Sequence, residues 1–428
     1  MKERIQKIAH SELVRNSAKL LTANVVAQAI GLLVYPILTR LYTPEDFGLL
    51  NLFLSIGGVL VLLATAEYQY AIVLPKKDED ARGLVHICGF LLLITTGIVL
   101  LSVPFSKPIA HLFNTPELAN WYWLMPLCVF VMGLWNILNY WYLRKKAYNH
   151  ISGYQMWQSI LSASGKLGFG KMGYLQGGLI SSTIIAAILS IITSLILSWK
   201  NICHTLFCST EIQLTKIAKK YKNYPIYSLP HSLTNIIASS LPTFIMIPTF
   251  GTKIVGYWGV AILLGFSPLS IIARTLNQII FQHISNKVNC KQKIGTFFLR
   301  FTLYAIGTIV PIFFILYYII PQIVQILLGP DWIETSNYLR ILLPWLGVNF
   351  LTASAGSLYD IFFQQKSSFY FELCAIFCRI IGLYCGVLFN NPHISILGYS
   401  IGSTIVTIIQ YVWLMILVRR HDQSLHKV

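Results

Sequence analysis

A chain of 428 residues is 55% hydrophobic and only 11% charged, with a mean hydropathy of +0.65. Soluble domains carry about 25% charged residues, so a water-soluble globular fold is excluded. Apolar runs of the ~20 residues that cross a ~30 Å hydrocarbon core as a helix recur from end to end. Barrel strands would read instead as ~10-residue alternating stretches, so the sequence predicts an all-α membrane protein.

In chain order, the first nineteen residues are basic and polar. The apolar stretch after them lacks a small-residue cleavage signal and reads as an uncleaved first span. The predicted spans are 20–39, 48–72, 84–105, 119–143, 150–169, 175–198, 225–249, 255–280, 297–320, 338–360, 368–389 and 394–418. The fifth is the least apolar, carrying Gln155, Gln158 and several serines. With the N-terminus in the cytoplasm, 23 of the 32 lysines and arginines fall in cytoplasmic segments. Six fall on the other side (Arg40, Lys107, Lys166, Lys171, Lys253 and Arg340), and Arg274, Arg300 and Arg379 lie within spans. That asymmetry satisfies the positive-inside rule and predicts twelve spans with both termini cytoplasmic. It also accounts for the net charge of +17: the charge is divided among short loops that face anionic membrane lipid, which argues against nucleic acid as a partner.

The longest hydrophilic stretch separates a first lobe at 1–199 from a second at 225–428, with 200–224 as a cytoplasmic linker. Phe47-Gly48-Leu49 opens the second span and Val255-Gly256-Tyr257 opens the eighth. This is a faint sign of a parallel repeat about an axis along the membrane normal. The eight cysteines show no CxxC spacing; Cys374, Cys378 and Cys385 share one helix face and read as small packing residues. Gly165-Lys166-Leu167-Gly168-Phe169-Gly170-Lys171-Met172 matches part of a phosphate-binding loop. Met172 stands where a magnesium-holding hydroxyl belongs and no strand precedes it, so the segment reads as a glycine-rich turn.

Polar stripes are more informative. Asn24, Gln28, Gly31 and Tyr35 follow i, i+4, i+7, i+11 on the first span, and Ser228, Ser232, Asn235 and Ser239 repeat that spacing on the seventh. The fourth span carries Asn136, Asn139 and Tyr140; the eighth carries Ser267, Ser270, Arg274, Asn277 and Gln278. Single serines can simply knit helices together, whereas aligned stripes suit a hydrophilic cavity. A charge at mid-helix costs roughly 2.5–3.5 kcal/mol on insertion scales and therefore faces a partner or water. Arg274 is the deepest cation, and its guanidinium fork suits phosphate. Glu67 is a candidate for coupling or gating. Glu372 and Arg379 lie seven residues apart on one face and can form a structural pair. Interfacial belts account for most of the tryptophans and tyrosines; Trp135, Tyr140, Trp141 and Tyr142 could also stack on sugars.

Leu38-Thr39-Arg40-Leu41-Tyr42-Thr43-Pro44-Glu45-Asp46-Phe47-Gly48 resembles the segment joining the first two helices of polysaccharide-biosynthesis flippases. Glu67-Tyr68-Gln69-Tyr70-Ala71-Ile72-Val73-Leu74-Pro75, followed by Lys76 to Asp80, resembles the end of their second helix. The expected arginine before the glutamate is replaced by Ala66. The resemblance implies the multidrug/oligosaccharidyl-lipid/polysaccharide exporter superfamily: two six-helix lobes in a V around a central cavity, working by alternating access. It implies cargo of polyprenyl-diphosphate-linked oligosaccharide, of O-antigen or capsule type, moved across a bacterial inner membrane. A polysaccharide polymerase and chain-length machinery would be further partners.

Such a task needs a wet, cationic cavity and no catalytic machinery or cofactor. The expectation is that Arg274, with Arg40 or Lys166 at the outer mouth, attracts diphosphate. Asn24, Gln28, Asn136, Asn139 and Asn277 would hydrogen-bond sugar, and Glu67, Asp360 and Arg379 are candidates for H+ or Na+ coupling and gating. The alternatives are an ion-coupled multidrug exporter with an acidic trap, for which Glu67 and Asp360 are the candidates, and a membrane enzyme of polysaccharide assembly. The enzyme would need a sizeable outer loop; the longest, about 321–337, offers only Asp331 and Glu334.

Overall fold

The computed structural model describes the backbone of residues 2–206 and 213–425, with side chains over 22–199 and 213–425. Side chains of the basic cluster Lys2, Arg4, Lys7, Arg15 and Lys19, and those of Lys200 and Lys427, lie outside the described residues, as does 207–212 of the expected linker. Twelve long helices run in order: α1 (Lys2–Leu41), α2 (Pro44–Thr65), α3 (Asp78–Leu101), α4 (Met125–Arg144), α5 (Tyr148–Lys171), α6 (Leu175–Leu206), α7 (Leu229–Phe250), α8 (Thr252–Asn289), α9 (Gly295–Leu328), α10 (Ile333–Ser354), α11 (Gln365–Leu388) and α12 (Pro392–Ser424). Eleven helical stretches among the described residues are long and apolar enough to cross a membrane. Helix α5 is the exception, long enough at 24 residues but too polar. The chain is a multi-pass helical membrane protein.

The loop between α1 and α2 shows why the first signature has its residues. Thr43 caps α2: its hydroxyl accepts from the Asp46 N–H at 3.4 Å, and the Asp46 carboxylate accepts from the Thr43 N–H at 2.8 Å and the Thr43 hydroxyl at 2.9 Å. Pro44 occupies the first turn, where a missing N–H costs nothing. Phe47 packs on the rings of Tyr35 and Tyr42. The Tyr42 hydroxyl donates to the Lys166 carbonyl at 2.6 Å, tying the end of α1 to α5.

Helix α2 ends earlier than the predicted 72. Ala66 and Glu67 both adopt the left-handed conformation (φ 45° and 65°), and Tyr68–Val73 continues as a 3₁₀ helix. Hydropathy is blind to this break because the residues on both sides are apolar. The phosphate-loop lookalike is also corrected in detail: Gly165, Gly168 and Gly170 lie inside α5, and the turn is at Met172 to Tyr174 with Gly173 at φ +75°. Gly170 leaves room for Tyr42 and Leu41, and Gly165 for Ser182.

The chain forms two compact units, 1–244 and 245–428. The Tyr68 hydroxyl bonds the Ala218 carbonyl and Lys220 pairs with Asp80, holding the helix Leu214–Lys220 to the first unit. In the second unit, α11 and α12 cross with Gly382 and Gly398 backbone to backbone, the close approach that small residues permit between helices in lipid. Replacing Gly398 by leucine is expected to cost about 3 kcal/mol or more through overpacking. Gly307→Leu on α9, where an added Cβ meets nothing within 4 Å, should be tolerated. Size-exclusion profile and melting temperature of the two purified variants check the contrast.

Candidate functional site

The most concentrated polar surface in the first unit lies between α1 and α5. On α5, Gln155, Gln158, Ser159, Ser162 and Lys166 follow i, i+3, i+4, i+7, i+11, a single helix face. The structure sets this face against Asn24 and Gln28 of α1, and the two stripes line a cleft of about 280 Å³. One direct contact closes its base, the Ser159 hydroxyl donating to the Ala27 carbonyl at 2.7 Å. The amides of Asn24, Gln28 and Gln158 make no hydrogen bond to protein among the described residues, and Gln155 Oε1 is buried without a partner. Each side-chain amide offers two donors and an acceptor oxygen with two lone pairs, the inventory that matches a ligand rich in hydroxyls.

Lys166 stands one turn beyond Ser162 on that face. Its ammonium has no ion-pair or hydrogen-bond partner among the described residues, while its carbonyl is held by Tyr42. Tyr42 reaches it because Gly170 and Gly178 leave a slot: a Cβ at Gly178 would sit 2.8 Å from the Tyr42 oxygen, and one at Gly170 would sit 2.9 Å from its ring. The α1–α2 signature therefore fixes the helix that carries the cleft's cation.

A second cluster surrounds the break after α2. Glu67 is 1% exposed and hydrogen-bonds Ser232 of α7, with Oε1 left unpartnered. Thr65 Oγ1 and Gln69 Oε1 are likewise buried and unpartnered. Tyr70 and Tyr140 are hydrogen-bonded, with ring centroids 4.8 Å apart. Arg144 holds the far end of this segment. It donates to the carbonyls of Ile72 (3.2 Å) and Pro75 (2.7 Å), and its Nη2 pairs with Asp78 at 2.8 Å, where Lys145 also binds. Counted in the sequence only as a topology charge, Arg144 is a clamp: the carbonyls exposed by the broken helix need donors, and a guanidinium supplies several in one plane.

The remaining sequence-predicted residues are distributed as follows. Asn136 and Asn139 are half-buried on α4 and make no hydrogen bond to protein among the described residues. Arg40 is exposed at the end of α1. In the second unit, Arg274 is exposed on α8, more than twenty residues from that helix's start, with no ion pair or hydrogen bond among the described residues. Asn277 accepts from the Ser357 N–H at 3.1 Å, fixing the turn after α10. Asp360 is exposed in the short helix Leu358–Ile361, near Gln365, so Glu67 alone of the two acidic candidates is buried. Arg379 pairs with Glu372 at 3.6 Å, donates to the Ser403 hydroxyl at 3.1 Å and lies over the Tyr399 ring, joining α11 to α12. The aromatic residues of α4 pack inward: Trp135 stacks on Tyr154, and Trp141 and Tyr142 are each 2% exposed, so neither an interfacial belt nor sugar stacking describes them.

Sequence reasoning assigned no role to Gln155, Gln158, Ser159 or Ser162. Their common helix face was the available signal, but it was read only as low hydropathy.

The chain superposes on an inward-facing multidrug resistance MATE family transporter of the MOP superfamily with a TM-score of 0.68 at 15% identity, covering 95% of this chain and 99% of that one. On the lipid II flippase MurJ in an inward closed conformation the TM-score is 0.67 at 16% identity, covering 95% and 90%. A MOP superfamily transporter from Pyrococcus furiosus superposes at 0.53 with 15% identity, covering 97% and 96%. No curated protein sequence matches the chain. The family model described as polysaccharide biosynthesis protein matches residues 37–337, and the chain belongs to that family.

Arg144→Ala removes five hydrogen bonds, to the carbonyls of Ile72, Val73 and Pro75 and to Asp78, and leaves part-buried carbonyls without donors. A loss of about 2 kcal/mol or more is expected, seen as a lowered melting temperature, with Arg144→Lys restoring only part because an ammonium cannot span both the carbonyls and Asp78.

Proposed function

We propose that this protein is a flippase for lipid-linked oligosaccharides. It would carry polyprenyl-diphosphate-linked repeat units, of O-antigen or capsule type, from the cytoplasmic to the outer leaflet of a bacterial inner membrane by alternating access. Both termini are cytoplasmic in this reading, and the assembly machinery that follows, a polymerase with its chain-length partner, would take the product. The observation that carries the proposal is the α1–α5 cleft, a row of amides and hydroxyls with unspent hydrogen-bonding capacity, on a helix face that continues one turn on to Lys166, which has no ion pair among the described residues.

The physical task explains these residue types. A saccharide crossing the bilayer loses its hydration, and each unpaired hydroxyl in an apolar medium costs roughly 2–7 kcal/mol. Amide side chains return those hydrogen bonds without adding charge. Asn24, Gln28, Asn136 and Asn139 are assigned to sugar in the first unit, now with Gln155 and Gln158. Diphosphate requires cations: Lys166 in the first unit and Arg274 in the second have no ion pair among the described residues, and Arg40 lies at the end of α1. Asn277 and Arg379 are reassigned to support, since Asn277 holds the Ser357 N–H and Arg379 pairs with Glu372. The family setting of polysaccharide biosynthesis supports this cargo class.

Ion coupling is assigned to Glu67. Its carboxyl sits where α2 breaks and contacts Ser232 of α7, so proton or Na+ binding there would act on a non-helical hinge. An exporter of organic cations would place a carboxylate in the polar cleft, and the lining holds none.

The test uses a deletion strain of the native host complemented with single variants. Gln158→Leu and Lys166→Ala are expected to reduce surface polysaccharide at least tenfold at normal protein level, with lipid-linked repeat units accumulating on the inner leaflet, and Lys166→Arg should restore display. Undiminished display by both variants would remove the cleft from the transport path.

A further inference from the structure

The second unit holds a separate feature that transport of a saccharide does not use. Helices α9, α10 and α12 enclose a groove of about 580 Å³ whose lining is apolar except for Arg340 at one end. We propose that this groove is a site for a single anionic phospholipid, its acyl chain lying along α9 and α10 and its phosphate on Arg340.

Three features carry this. The first is orientation toward lipid. Many residues of α9 are exposed, and Val310, which lines the groove, is 59% exposed. The groove opens sideways into the hydrocarbon.

The second is length. The lining runs along α10 from Arg340 to Leu351, eleven residues and so roughly 16 Å at 1.5 Å per residue. This is about half of a ~30 Å hydrocarbon core, the depth of one leaflet. Tyr411 lines the groove beside Leu351, with its hydroxyl bonded to Thr302 at 2.7 Å and its ring on Phe298, in a packed cluster that includes Leu351. An ordinary acyl chain matches this length, whereas a much longer isoprenoid chain would extend beyond it.

The third is charge. Arg340 is fixed by its Nε, which donates to the Tyr317 carbonyl at 2.7 Å, and by the Tyr317 ring 4.5 Å from its guanidinium carbon. Its two terminal nitrogens have no partner among the described residues, and no carboxylate lines the groove. A guanidinium held by Nε with Nη1 and Nη2 free presents a fork suited to bidentate contact with phosphate. A neutral tail alone would need no such group at the mouth. On the positive-inside orientation, Arg340 lies at the outer surface, so the lipid belongs to the outer leaflet.

The test is native mass spectrometry of the delipidated full-length protein titrated with phosphatidylglycerol, in parallel with phosphatidylethanolamine and a polyprenyl phosphate; it involves no transport step. Wild type should retain one phosphatidylglycerol in preference to phosphatidylethanolamine. Arg340→Gln should weaken that binding about tenfold, as expected for loss of a charged hydrogen-bonding pair. Val310→Trp, a change at an exposed position that folds independently of the arginine, should block the site by filling it. Equal retention by all three proteins would overturn the proposal, as would equal retention of the zwitterionic lipid. Displacement of phosphatidylglycerol by the polyprenyl phosphate, sensitive to the same two substitutions, would reassign the groove to cargo and also overturn it.

Discussion

A polar group within hydrocarbon must find a partner in the protein or meet water, and this requirement sorts the residues of the chain into two populations. Most hydroxyls on the long helices are spent on local backbone. Thr183 donates to the Leu179 carbonyl, Ser198 to Ser194, Thr302 to Phe298, Ser354 to Phe350 and Thr407 to Ser403. Each satisfies its hydroxyl one turn back, the usual arrangement for serine and threonine in a helix. Tyr142 is enclosed by Ser194 and Ser198, and Arg379 is matched by Glu372 and Ser403. These groups hold the bundle together. The amides of α1 and α5, the asparagines of α4, the Lys166 ammonium and the Arg274 guanidinium do not, and a bilayer protein retains such unmatched capacity at functional places.

The two signature segments are the means by which the unmatched groups are held in position. Thr43, Pro44 and Asp46 start α2 abruptly after α1, so that Tyr42 can turn back into a slot between Gly170 and Gly178 and hold the Lys166 carbonyl. At the other end of α2, the left-handed pair Ala66 and Glu67 stops the helix, and Arg144 collects the Ile72 and Pro75 carbonyls where the following 3₁₀ helix ends. Backbone strain of this kind persists where surrounding contacts over-determine it, and the bond of Glu67 to Ser232 is one such contact. Neither segment lines the cleft; the first ties together the two helices that do, through Tyr42 on the Lys166 carbonyl.

Much of this was legible in the sequence, for identifiable reasons. Helices had to be long and mostly apolar, so the twelve predicted spans fall in order on α1 to α12, of which all but the polar α5 are apolar enough to cross a membrane, and the i, i+4 spacing of Asn24 and Gln28 placed both on one face. Other features were hidden because one-dimensional patterns do not report partners. Asn277 looked like its neighbour Arg274 in the sequence, yet it accepts from the Ser357 N–H while Arg274 stays unpaired. Trp135 and Trp141 sit near an expected interface by position but are consumed by packing. Arg144 was absorbed into a charge count because its acceptors lie some seventy residues away. The face of α5 was discounted because its low hydropathy weakened it as a span, although the same polarity marks it as a lining.

The central claim is that the α1–α5 cleft is wet within a membrane-embedded bundle. Its most direct test is thiol accessibility in a cysteine-free background carrying Ser162→Cys in the cleft or Ile160→Cys on an exposed apolar face of the same helix. A charged, membrane-impermeant methanethiosulfonate reagent should modify the first readily and the second hardly at all. Protection of residue 162 together with residue 160 from either side of the membrane would mean the amides are packed dry, and the transport account would fail.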